Sequence, residues 1–179
     1  DSIRAVFAAR GGYGCMRLLP GLSLAGKKPK PVVGFSDLTA LHGALQAAGL
    51  ASLHGPVITQ LGTQPPGSVS RLFSLLESDA PAAPLPGLST LVPGVAEGPL
   101  LGGNLSTLTR LLGTPYLPSF EGAVLLLEDV GERPYRLDRM WTHLALAGVF
   151  QKVRGIVLGD FTECEEPTPA PSSPEKPAR

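Results

Sequence analysis

The chain has 179 residues, of which 43% are hydrophobic, enough to bury one or two small cores. Formal net charge is zero and the isoelectric point is near 7.0, which argues against a nucleic-acid or anionic-membrane partner. Two distant cysteines outside any CxxC spacing argue against a metal-thiolate centre, and no apolar run reaches membrane-spanning length.

Ile3 to Ala9 reads as a buried strand that starts close to the first residue, so part of the fold is expected upstream. Arg10 and the turn Gly11-Gly12-Tyr13-Gly14 follow, then Cys15, Met16, Leu18 and Leu19 at helical spacing. A glycine turn after a strand lets the backbone approach a ligand, and equally serves as a tight turn needing positive φ. As a dinucleotide fingerprint it fails, because its glycines are too tightly grouped. Gly21 to Lys30 reads as a solvated basic loop. Pro31 to Phe35 is a short apolar run rich in β-branched residues, hence a strand. From Asp37 onward, Leu38, Leu41, Leu45 and Ala48 recur at helical intervals, and Gly49 supplies a stop.

Ser36 thus occupies a strand-to-helix turn. A hydroxyl there can attack a carbonyl beside the backbone N–H groups and partial positive charge of a helix N-terminus. The alternative is an N-cap accepting a bond from Leu38 or Thr39 N–H. The Gly-x-Ser-x-Gly elbow is not met, since Leu38 takes the second glycine position. Ala51 to Leu61 suggests a buried turn leading to another strand, and His42 and His54 read as structural. Repeated strand–turn–helix order predicts a parallel sheet, with Arg10–Gly14 and Ser36 sharing its carboxyl edge.

Residues 62–93, rich in Pro, Gly and Ser, read as a linker with one short amphipathic helix over Ser70–Glu77. Gly102 and Gly103 precede Asn104, an N-cap for a helix carrying Leu105, Leu108, Leu111 and Leu112 and stopped by Gly113. Ala123 to Val130 is the most apolar run, and it contains Glu128 and Asp129. A buried carboxylate is costly unless paired or put to use. On a strand the two point to opposite faces, so they do not form one acid/base pair. Pro134 suits the first turn of a helix with Leu137, Met140, Trp141 and Leu144 on one face, leaving His143 exposed. Val153 to Phe161 is a last strand. The proline-rich 166–179 cannot bury surface and is expected to be disordered.

Taken together, Arg10-Gly11-Gly12-Tyr13-Gly14, Gly34-Phe35-Ser36-Asp37-Leu38-Thr39-Ala40-Leu41-His42, His54-Gly55-Pro56, Gly102-Gly103-Asn104-Leu105, Leu127-Glu128-Asp129-Val130-Gly131-Glu132 with Tyr135-Arg136-Leu137-Asp138-Arg139, and Gly155-Ile156-Val157-Leu158-Gly159-Asp160-Phe161 stand in an order that resembles the murein LD-carboxypeptidase family of serine peptidases. That family includes the microcin C immunity peptidases. The resemblance spans residues 3 to 164. It implies an α/β fold: a partial N-terminal parallel-sheet domain of Rossmann or flavodoxin type in 1–61, a linker in 62–93, and an incomplete C-terminal α/β domain in 94–165. It implies Ser36 as nucleophile, the N–H groups of Gly12 and Asp37 as oxyanion hole, and Glu128 orienting a histidine base. Arg10, Gly11 and Asn104 are implied as substrate contacts. The implied reaction is hydrolysis of the L,D bond to the terminal D-alanine of murein tetrapeptide. It implies a cytoplasmic homodimer, with no metal, cofactor, nucleic acid or membrane.

One departure accompanies the resemblance. The family places its catalytic histidine well after the Gly-Asp-Phe strand, where this sequence turns proline-rich, so the chain is expected to lack both ends and to be inactive as it stands. Three alternatives remain: a microcin-type amide hydrolase, a non-catalytic binding remnant, and a nucleotide-binding module resting on Gly11–Gly14 alone.

Overall fold

The computed structural model describes residues 2–24, 26, 28, 30–80 and 82–166. They form an α/β structure with two parallel three-stranded sheets. The first contains β1 (Val6–Phe7), β2 (Val32–Gly34) and β3 (Leu53–His54) in that order, and the second β4 (Leu100–Asn104), β5 (Val124–Val130) and β6 (Gly155–Thr162). Helices α1 (Cys15–Leu18), α2 (Thr39–Ala47), α3 (Pro66–Glu77), α4 (Leu105–Thr109) and α5 (Pro134–Leu146) cross between or follow the strands. The proline-rich 167–179 and Lys27 of the basic loop lie outside the described residues.

The first sheet is small because its middle strand is small. Pro31 offers a carbonyl but no N–H, and the backbone leaves the ladder at Ser36. Pairing is confined to Val6↔Val32 and Phe7↔Val33 on one side and Val33↔Leu53 and Gly34↔His54 on the other. The strand expected over Ile3–Ala9 therefore shrinks to two residues. A second expectation is corrected here. Leu53–His54, read as a turn, is the strand, and Ile58–Thr63 is a 3₁₀ helix rather than a further strand. Pro56 cannot donate to a ladder, and the next amides bend back instead: Ile58 N–H bonds Ala8 O at 3.0 Å and Thr59 N–H bonds Ala9 O at 3.1 Å.

A 3₁₀ turn, Ser36–Leu38, leads into α2, which ends before Gly49 at φ 74° as its spacing predicts. Thr39, Ala40, His42, Gly43, Ala44 and Leu45 of α2 are all buried, more than one stripe, because both halves of the molecule pack on this helix. Leu19, Ala40, Ala44 and Leu111 form one cluster across the junction. α3 begins earlier than the Ser70 expected, since Pro66 suits a first turn. It belongs to the first sheet: Leu72 is buried and Phe73 stacks on Phe7 at 6.5 Å. The described residues from Ser78 to Pro99 hold no helix or strand.

In the second sheet β5 is central, in register with β4 from Leu100↔Val124 to Asn104↔Glu128, and with β6 beyond it. Its alternation sets Leu125, Leu127 and Asp129 on the buried side and Leu126, Glu128 and Val130 on the other. Leu125 and Leu127 pack with Leu105, Leu108, Met140 and Leu144 from α4 and α5, each buried leucine contributing about 2 kcal/mol. Gly102 and Gly103, expected as a lead-in, are the end of β4. α4 stops at Thr109, short of Leu112, and Leu111 turns away to pack against α2. His143 on α5 is exposed, as its place off the apolar stripe predicts.

Leu127→Ala is expected to cost about 3 kcal/mol, because Leu127 is fully buried in close-packed surroundings. Leu91→Ser, at a side chain 78% exposed, should change stability by less than about 0.5 kcal/mol. Urea denaturation of both variants checks the pair.

Candidate active site

Ser36 has φ 62°, a left-handed conformation rarely adopted by a residue with a side chain and one that costs on the order of 1 kcal/mol. Strain of this kind persists only where surrounding structure enforces it. Phe35, not Ser36, occupies the N-cap position, and no side-chain cap bond forms there. The N-cap alternative is therefore not what Ser36 does, and among the described residues its hydroxyl makes no hydrogen bond. The glycine turn runs directly beside it: a Cβ on Gly11 would lie 3.3 Å from Ser36 Cβ and 3.5 Å from Oγ. A side chain at Gly11 would crowd the Cβ of Ser36, so glycine lets the backbone pass this close.

Arg10 Nε donates to Gly11 O at 3.3 Å, and Gly12 has φ 135°. Asp37 ties the two segments together, its Oδ2 accepting from Cys15 N–H at 2.8 Å, at the start of α1. Burial, and then the Asp37 carboxylate, push the Cys15 thiol up to about 12, so it stays protonated and unreactive at neutral pH. Among the described residues the amides of Gly12 and Asp37 have no acceptor. Arg10, Gly11, Gly12, Ser36 and Asp37 thus gather at the carboxyl ends of β1 and β2.

Asn104 and Glu128 stand at the corresponding ends of β4 and β5. Asn104 N–H donates to Thr39 Oγ1 at 3.0 Å, linking β4 to α2. Its Nδ2 donates to Asp129 Oδ1 at 2.9 Å, while its Oδ1 accepts from Thr107 N–H at 3.0 Å and so caps α4. Asp129 Oδ2 accepts from Ser106 N–H at 2.9 Å and Oδ1 from Val130 N–H at 2.9 Å. Asp129 is a buried charge made tolerable by its donors.

Its neighbour on the other face is different. Glu128 is 13% exposed, and its Oε1 is buried without a hydrogen-bond partner. Burial first, then the Asp129 charge, raise its carboxyl from 4.5 to about 7, against the pull of a hydrogen bond from the Asn104 side chain. His54 Nε2 lies 3.8 Å from that Oε1, and Phe35, His54, Glu128, Gly159 and Asp160 line a common cleft of about 290 Å³. Sequence reading gives His54 only a structural role. The available signal was its place at the carboxyl end of a strand, the edge where parallel sheets bind ligands. His42 Nε2 donates to Gly34 O at 2.8 Å, and His143 lines a separate cleft of about 390 Å³. No histidine among the described residues is hydrogen-bonded to Ser36. Nor do three or more His, Cys, Asp or Glu side chains among them cluster as metal ligands would.

Two family models match the chain: the LD-carboxypeptidase N-terminal domain over residues 1–55 and the LD-carboxypeptidase C-terminal domain over residues 97–178. The chain belongs to the LD-carboxypeptidase family. It is 44% identical over 174 residues to a putative carboxypeptidase of Synechocystis, covering 94% of this chain and 56% of that one. To the murein tetrapeptide carboxypeptidase of Pseudomonas aeruginosa it is 40% identical, covering 90% and 57%. Its fold is similar to that of muramoyltetrapeptide carboxypeptidase from Oxalobacter formigenes, with a TM-score of 0.82, 34% identity, and coverage of 94% and 59%. It is similar too to the microcin self-immunity protein MccF solved with glutamyl sulfamoyl guanosine, with a TM-score of 0.78, 25% identity, and coverage of 99% and 62%. The chain spans about half the length of the curated relatives it matches. Among its described residues no helix is long and apolar enough to cross a membrane.

The raised Glu128 carboxyl gives a stability signature with a definite sign. The folded chain keeps this proton up to about pH 7, whereas an unfolded one releases it near 4.5, so burying the carboxylate destabilises the fold above pH 7 and the cost fades as pH falls toward 4.5. Glu128→Gln should therefore gain stability over the parent on going from pH 5 to pH 8, by on the order of 2 kcal/mol. Urea melts of both proteins at the two pH values measure this, and parallel pH dependences would contradict it.

Proposed function

We propose that this chain carries the nucleophile and the orienting acid of a serine-type LD-carboxypeptidase that releases terminal D-alanine from murein tetrapeptide. The observation carrying the proposal is Ser36, held at positive φ with its hydroxyl beside Gly11 and, among the described residues, committed to no hydrogen bond. In this reading Ser36 Oγ attacks the carbonyl carbon of the L,D amide. The amides of Gly12 and Asp37 receive the oxyanion, which preorganised donors stabilise better than water does. Arg10, Gly11 and Asn104 stand for substrate contacts, Asn104 through the strand end it anchors, since both ends of its amide are engaged. Asp37 also holds the glycine turn in place through Cys15 N–H.

The serine proton passes to a histidine oriented by Glu128. We assign that base to sequence C-terminal to β6 in the longer framework of the relatives, because His42, His54 and His143 make no hydrogen bond to Ser36. A chain with only these three histidines is then expected to be inactive, since a serine deprived of its base loses most of its advantage. The same reading places the enzyme in the cytoplasm, as a homodimer needing no metal or cofactor. A second reading, cleavage of an aminoacyl sulfamoyl nucleoside, is favoured by the structural similarity to MccF, solved with such a compound.

The test is release of D-alanine from murein tetrapeptide by the natural gene product containing these residues. Ser36→Ala should lower kcat at least about 1,000-fold, and Glu128→Ala at least about 100-fold. Full activity in Ser36→Ala removes the nucleophile assignment. Turnover of a glutamyl sulfamoyl nucleoside without turnover of tetrapeptide would select the second reading.

A further inference from the structure

We propose that His54 is a positioning residue for Glu128, with Nε2 holding the otherwise partnerless carboxylate oxygen Oε1 from across the junction between the two halves. This rests on the reading of Glu128 as the orienting acid. The backbone of His54 is fixed at the sheet end by the Gly34↔His54 pairing and by the bond from Gly55 N–H to Gly34 O at 3.0 Å. The ring is bounded on three sides. Phe35, immediately before the nucleophile, meets it edge-on with centroids 6.4 Å apart, and His42 lies at 6.2 Å. On the third side is Gly103, at φ 134°, where a Cβ would fall 3.2 Å from His54 Nδ1 and 2.7 Å from Thr39 Oγ1. The missing side chain at Gly103 is what admits the ring.

Nε2 then faces Glu128 Oε1 at 3.8 Å, ion-pair range and longer than a hydrogen bond. Contacts of this kind in ligand-free sites commonly tighten when substrate binds. The other titratable groups around Glu128 are all placed differently. Asp129, next in β5, is turned to the opposite face and satisfied, and Asp160 of β6 lines the same cleft. His42 of α2 is one ring further away, its centroid 6.2 Å from that of His54, and it donates to Gly34 O rather than toward Glu128. His54 is the group that can donate to Oε1 from the far wall.

The chemistry supports a one-proton pair. Burial, then His42, lower the His54 imidazole to about 4, while Glu128 sits near 7, so His54 is neutral wherever Glu128 changes charge. A neutral imidazole has one N–H, and its location reports the partner. Ionised Glu128 calls for the proton on Nε2. Protonated Glu128, or a glutamine in its place, offers a donor as well as an acceptor and so removes this bias toward Nε2–H.

The test reads this tautomer directly on the 179-residue chain, by ¹⁵N NMR of the His54 ring at pH 8 in the parent and in Glu128→Gln. The parent should hold the Nε2–H tautomer, at a population no lower than in Glu128→Gln; an Nδ1–H ring in the parent at pH 8 overturns the proposal. In the active natural gene product, His54→Phe should lower kcat for tetrapeptide about 10- to 100-fold with KM little changed, and move the acid limb of the pH–rate profile upward by about one unit. His54→Gln, which can still donate, should recover part of both. An unchanged kcat and profile in folded His54→Phe also overturns it. Failure of the parent reading is distinguishable, because it would appear as full activity in Glu128→Ala, whatever the tautomer of His54.

Discussion

One buried polar knot holds the rest of this structure in place. Thr39 on α2, Asn104 at the end of β4 and Asp129 on β5 are joined by short bonds, and every polar atom of the Asn104 side chain is spoken for. Such a network is stabilising only when complete, because a buried donor left without a partner costs more than the bond contributed. Here it is complete. It caps α4, joins the first half to the second, and anchors Asp129, the residue after Glu128.

The contrast between two adjacent carboxylates follows from that arrangement. Asp129 faces the helices and is met by the amides of Ser106 and Val130 and by the Asn104 side chain. Glu128, one residue earlier, faces a cleft shared with His54 and Phe35 and keeps one oxygen without a partner. The same strand therefore supplies one carboxylate used for architecture and one held available. A carboxyl poised near neutrality in a cleft is a common mark of a functional site.

Much of this was legible from residue pattern alone. The apolar run at Pro31–Phe35, the helical spacing after Asp37 and the Gly49 stop located Ser36 on its turn, and strand periodicity separated the faces of Glu128 and Asp129. Less legible were short elements whose existence depends on a partner. Leu53–His54 becomes a strand only because β2 offers two residues to pair with. α4 ends early only because Leu111 is drawn to α2. The left-handed φ of Ser36 likewise has no local signature, since only glycine commonly adopts it and Ser36 is not glycine.

By itself the sequence determined the α/β class, the order of strand–turn–helix units, and the residue types at each turn, because periodicity and glycine placement act over a few neighbouring residues. The ordered motifs also determined the family. Only the tertiary structure decided which side chains meet: that Asn104 is consumed by Thr39, Thr107 and Asp129, that Gly11 lies on Ser36, and that His54 faces Glu128. Apart from the local Thr107 cap, those meetings join residues from 25 to 74 apart on the chain. Contacts of such separation are set by how sheets and helices stack, which no local pattern encodes.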